Sequence, residues 1–181
     1  MHPTITVAFI LGRPAVDVAW VDAVLGTLKW AKNVGDYQSA LANPAALTCP
    51  LCVSAGRPNC SELHGLETVM RSDIYHFAAA RLKASTIIDS SNDLSWCRRY
   101  LGRSTIDARI IYLLAEGESL GPDVADLISF APLSSYDPRK LRTAPDEHFP
   151  RVCKFLGGAW DSLAPAFWNL PRHGPGGAHS A

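Results

Sequence analysis

Four soft metal-type ligands fall within sixteen positions of this sequence, as Cys49-x2-Cys52-x7-Cys60-x3-His64. Two thiolates in C-x2-C spacing can bite one ion, and the later Cys and His complete a tetrahedral set suited to zinc. Pro50, Gly56 and Pro58 supply the turns such a knuckle needs. The alternative is a reduced loop whose thiols serve packing, with His64 exposed on the next helix. A second group is Gly12-Arg13, a turn where a guanidinium could meet an anion, or a plain surface turn. A third is Asp89-Ser90-Ser91, which stands where a strand ends, the usual ligand side of an open α/β sheet. The same residues also suit a helix N-cap. Arg98 and Arg99 follow on that helix, facing either a ligand or solvent. His76, His173 and His179 each lack a partner in the pattern that would make them a base, and the five tryptophans read as core or interface anchors.

These groups need a scaffold, and the clearest part of one is Thr4 to Leu28. Ile5 to Leu11 is an apolar run that stops at Gly12-Arg13-Pro14, and helical spacing of apolar residues runs from Val16 to Leu28. Strand, Gly-containing turn and helix form the unit that phosphate-binding α/β folds use. The turn chemistry departs from that use. Pro14 has no N–H, Val16 is bulky, and Asp17 repels an anion. Asn33 to Tyr37 reads as a turn into a short helix ending near Asn43-Pro44, and 46–61 is a Cys-rich loop. Glu62 to Lys83 has the stripe of one long helix. Ser85 to Asp89 and Ala108 to Leu114 are buried-type strands, with a capped helix between them over Leu94 to Leu101. Asp123 to Phe130 suits a short helix, Ala131 to Pro145 a loop, Asp146 to Leu156 an amphipathic helix closed by Gly157-Gly158, and Ser162 to Trp168 another short helix. The Gly/Pro-rich tail, 170–181, reads as flexible. The expected fold is α/β: one domain over 1–181, three-layered, with a short parallel sheet flanked by helices.

Acids and bases balance at 17 each, so no polyanion attraction and no nucleic-acid partner is expected. No stretch is apolar for long enough to span a bilayer, and no signal-type leader is visible, so a cytoplasmic protein is expected. An odd cysteine count of five argues for thiols or a metal site over a disulfide framework.

Taken in order, several segments together resemble the bacterial PAPS-dependent sulfotransferase family. VAFILGR and the helix after it resemble that family's first strand and phosphosulfate loop. NVGDY is similar to its VGE-L segment, and TIIDSSND to its strand ending in D-S-S-K. DARIIYLL is similar to the strand entering its R-D-P-R motif. RVCKFLG followed by FWNLPRHGPGG resembles its last helix and closing H-x-x-G-G-N segment, and the Cys-rich stretch resembles an insert of many bacterial members. The resemblance implies a P-loop NTPase-like core that binds PAPS and moves a sulfuryl group to a hydroxyl or amine. On that footing Gly12 and Arg13 would face the phosphosulfate, Asp89, Ser90 and Ser91 the 3′-phosphate side, and Arg98 would be a substitute cation.

The departures fall on the charged positions. Pro14-Ala15-Val16-Asp17 replaces the rest of the R-S-G-T-T loop, and Asn92 replaces the Lys of D-S-S-K. Ala115-Glu116-Gly117-Glu118 stands for R-D-P-R, and Ala178 for the final Asn. Each lost charge-assisted contact is worth roughly 1.5–3 kcal/mol, so several losses move a micromolar site towards millimolar. Two functions are therefore expected from the sequence. One is a divergent sulfotransferase. The other is a pseudoenzyme that keeps the scaffold and binds a protein partner, with a structural zinc in its Cys loop.

Overall fold

A computed structural model describes residues 4–13, 15–42, 55, 65 and 68–167. Five strands form one parallel sheet in the order β2-β3-β1-β4-β5. They are β1 (Ile5–Gly12), β2 (Ala31–Gly35), β3 (Thr86–Asp89), β4 (Ile106–Leu113) and β5 (Leu133–Tyr136). The helices among the described residues are α1 (Ala15–Leu25), α2 (Tyr37–Ala42), α3 (Ile74–Leu82), α4 (Leu94–Arg98), α5 (Pro122–Ala125), α6 (Pro138–Thr143), α7 (Pro145–Leu156) and α8 (Ala164–Phe167), with a 3-10 turn over Asp126–Ser129 after α5.

β1 is central, and its apolar run is explained by having a layer on each side. Val7, Phe9 and Leu11 join the core under α3 and α4, whereas Ala8 and Ile10 join the core under α1, α7 and α8. Phe9 meets Tyr75 edge-on and stacks on Tyr100. On the opposite face Trp20 meets Phe149, which stacks on Trp160 at 4.7 Å. The sheet is therefore the middle of three layers, as the alternation of apolar strands and helices predicts.

α1 is more buried than a surface helix. Val18, Trp20, Val21, Asp22, Val24 and Leu25 are all buried, because the C-terminal helices cover its outer side. Asn33 donates to Asp22 at 2.9 Å, and Gly26 lies so close to Asn33 that a Cβ there would meet its side-chain oxygen at 2.2 Å. Trp30 donates to the Ala159 carbonyl at 2.8 Å and fills the space where a Cβ on Gly158 would stand.

Three expectations are corrected. Residues 31–35 form a strand where the sequence suggests only a turn. Residues 131–145 are not a continuous loop but contain β5 and α6. Of the helix expected over Glu62 to Lys83, residues 62–64, 66 and 67 lie outside the described residues, Ile74–Leu82 is helical, and 71–73 form turns. The turn before it is tied to the segment after α4: Tyr100 donates to the Arg71 carbonyl and Arg103 to that of Ser72. No helix among the described residues is long and apolar enough to cross a membrane.

Candidate functional site

The carboxyl ends of β1, β3 and β4 lie side by side, and the chain leaves β1 and β3 towards opposite layers, which is where open α/β sheets take ligands. Gly12 stands at the end of β1, paired in register with Leu113. Its φ of 144° is in the range that favours glycine, and a Cβ would meet the Leu113 carbonyl oxygen at 2.6 Å. The glycine is thus required by the close approach of β4.

The Gly12 backbone is already engaged. Asn92 folds over it with φ 53°, accepting from the Gly12 N–H at 2.9 Å and donating to the Gly12 carbonyl at 3.0 Å. A primary amide satisfies one donor and one acceptor at once, which a lysine at the same position could not do.

The Asp89-Ser90-Ser91 turn is held from below. The Asp89 carboxylate is buried and accepts from Tyr75, from Trp96 Nε1 at 3.0 Å and from the Ser91 N–H at 2.7 Å. Burial pushes its pKa up, against the pull of these donors. Tyr75 is raised further by burial and by the Asp89 charge, so the phenol keeps its proton and donates. Ser91 Oγ accepts from the Gln38 N–H at 3.1 Å, Gln38 also donates to Asp93 at 3.1 Å, and the Ser90 N–H donates to Gly35. Asp93 caps α4 by accepting from Trp96 N–H at 2.8 Å. The turn is therefore an N-cap and a junction between β2, β3, α2, α3 and α4, with Asp89 buried beneath it.

The acids that stand at motif positions have partners. Asp17 pairs with Arg142 at 3.0 Å, and that guanidinium lies 4.4 Å over the Trp20 ring. Glu116 pairs with Lys140 at 3.4 Å, and Glu118 accepts from the Ala115 N–H at 3.1 Å. The repulsion expected from Asp17 and Glu116 is thus offset by two cations of α6, a helix whose sequence reads as loop. Arg98 donates to the Asp123 carbonyl at 3.1 Å and pairs with Asp126 at 3.5 Å, which ties α4 to the segment after β4.

Gly12, Asp89, Ser90 and Ser91 are brought together, joined by Asn92, while Arg98 is held by the Asp123–Asp126 segment. Arg13 is exposed at the turn. Gln38, Tyr75, Asn92, Trp96, Lys140 and Arg142 were not legible as site residues. Asn92 alone carried a signal, as the residue standing for a lysine. Cys49, Cys52, Cys60 and His64 lie outside the described residues, as does the 170–181 tail. Among the described residues no three metal-type ligands cluster, and Cys97 and Cys153 are buried thiols whose pKa burial pushes up to about 12. Neither a protein-family model nor a curated protein matches this sequence.

Proposed function

We propose that this chain is a divergent protein of the PAPS-dependent sulfotransferase type, built on a P-loop-like core, whose nucleotide mouth is closed by the protein's own groups. In this reading it works as a binding module and not as a sulfuryl-transfer enzyme. The observation that carries it is the Asn92 amide, which takes both the N–H and the carbonyl of Gly12. The rest of the mouth agrees. Ser91 spends its side chain on α2 and Asp89 on α3 and α4, and Lys140 and Arg142 face Glu116 and Asp17. PAPS is polyanionic and needs free N–H donors and unpaired cations, so the engagement of these groups weighs against its binding.

The second reading, PAPS-dependent transfer to a hydroxyl or amine, keeps one specific support. Arg13 is exposed beside the Gly12 turn and pairs with no carboxylate among the described residues. Calorimetric titration of the full chain with PAPS separates the two. No heat in the millimolar range is expected; saturable micromolar binding would overturn the closed-mouth reading, and sulfuryl transfer to an acceptor would then establish the enzyme. Within the binding-module reading, Cys49, Cys52, Cys60 and His64 hold one zinc, and metal analysis of the same preparation tests that part.

A further inference from the structure

β5 lies at one end of the sheet, paired on one side with β4. Beside it runs a groove of about 720 Å³, lined by the consecutive residues Ser134, Ser135, Tyr136 and Asp137 of the strand and its end. Successive side chains of a strand point to opposite faces, and Ser134, Ser135 and Tyr136 all line this groove, so it reaches the strand's edge. The hydrogen bonds say the same. The Pro132 and Tyr136 carbonyls accept from the Ile110 and Leu114 N–H groups, so even-numbered residues face β4 and the backbone of Ser135 faces away from it.

The opposite wall sets basic groups around the apolar Leu141 and Phe155. His148, Arg151 and Lys154 line the groove from α7 at the i, i+3, i+6 spacing of one helix face, and Lys140 lines it from α6. Arg151 and Lys154 are exposed and pair with no carboxylate among the described residues, whereas Lys140 reaches Glu116 at 3.4 Å. The one acid on the wall, Asp137, accepts from the Arg139 N–H at 2.8 Å and caps α6. Tyr136 reaches the Arg151 carbonyl at 3.4 Å and holds the strand against the helix. Edge strands are commonly blunted by a charged residue or a covering element, and β5 presents serines.

We propose that this groove binds an extended acidic peptide, which adds to β5 as a sixth strand and sets its carboxylates against Arg151, Lys154 and Lys140. Main-chain pairing with Ser135 gives the peptide its direction, and the basic stripe selects its charge. The proposal deepens the binding-module reading and rests on it, but the two fail separately: PAPS binding would remove that reading, and only the peptide experiment bears on the groove.

The test is selection from a library of random eight-residue peptides on the full-length protein, followed by anisotropy titration of the enriched peptides. Enrichment of acidic sequences is expected, with affinity falling about tenfold or more in the Arg151→Glu, Lys154→Glu variant. Methylating alternate peptide nitrogens should cost a similar factor, because it removes strand pairing and keeps charge. Circular dichroism of the variant guards against misfolding, and a milder Arg151→Gln, Lys154→Gln pair should show a smaller loss. No enrichment, enrichment without acidic bias, or binding indifferent to N-methylation would each overturn the proposal; the last would mark simple polyanion capture.

Discussion

Asn92 does two things at one position: its side chain occupies the Gly12 backbone, and its own backbone sits at φ 53°. These can be separated by substitution. Asn92→Ala loses both hydrogen bonds and places a β-carbon in the left-handed region, whereas Asn92→Gly loses the bonds and keeps the backbone at ease. The alanine variant should be less stable than wild type by about 2–3 kcal/mol, and the glycine variant by about 1–2 kcal/mol, read from urea unfolding. Equal losses would mean that the left-handed backbone carries no weight. Asp89 offers a different handle. Burial raises its folded pKa above the ordinary value of 3.8, so the folded state holds that proton more tightly than the unfolded chain. Its contribution to stability is fully present below the unfolded value and is lost as pH rises through the raised folded value. Measured against Asp89→Asn, which cannot titrate, wild-type stability should therefore decline across that acidic window. A rising difference would show that the Tyr75, Trp96 and Ser91 donors outweigh burial. None of this was legible beforehand beyond the D-S-S pattern itself, since a buried carboxylate and an exposed cap share the same letters.

At the scale of elements, α6 is the unexpected contributor. It closes over the start of α1 through Arg142, which contacts both Asp17 and the Trp20 ring, and over the end of β4 through Lys140. The Asp17–Arg142 pair is partly exposed, with side-chain exposures of 16% and 39%, so screening limits its worth. A double-mutant cycle with Asp17→Asn and Arg142→Gln should give a coupling of about 0.5–1 kcal/mol, falling in high salt. Arg142→Gln alone should cost a little more, because it also removes the contact with Trp20. A coupling of zero would mean that α6 is held by Leu141 and the α7 junction instead. The strands that escaped sequence reading, β2 and β5, are the two ends of the sheet. Only Ala31 and Val34 of β2 are buried, and no residue of β5 is fully so. An edge strand has one neighbour and a thinner cover, so it needs no apolar run, and apolar runs were the signal that made β1, β3 and β4 readable.

At the scale of the molecule, the described residues form one sheet with two cores, and each core carries its own reporter. Trp96 lies with Tyr75, Tyr100 and Phe9 on one side, whereas Trp20 and Trp160 pack around Phe149 on the other. The layered α/β architecture was readable because β1, β3 and β4 are buried on both faces and must be covered twice. The assignment of helices to layers was not, since it depends on which strand each crossover joins. Whether the two cores form one cooperative unit follows from β1, whose alternate residues feed both: loss of either layer would expose Phe9 and Leu11 or Ala8 and Ile10, and with them strand pairing at the centre of the sheet. Unfolding of one layer alone is therefore costly. Denaturation followed by the fluorescence of a Trp96-only variant and of a Trp160-only variant should give coincident midpoints once each is corrected for its own stability. The control is Phe149→Leu, which should lower both midpoints equally, by the equivalent of about 1–2 kcal/mol. If it shifted the Trp160 signal and left Trp96 in place, the layers would be separable, and the α6–α8 face would be a subdomain docked on a sheet stable without it.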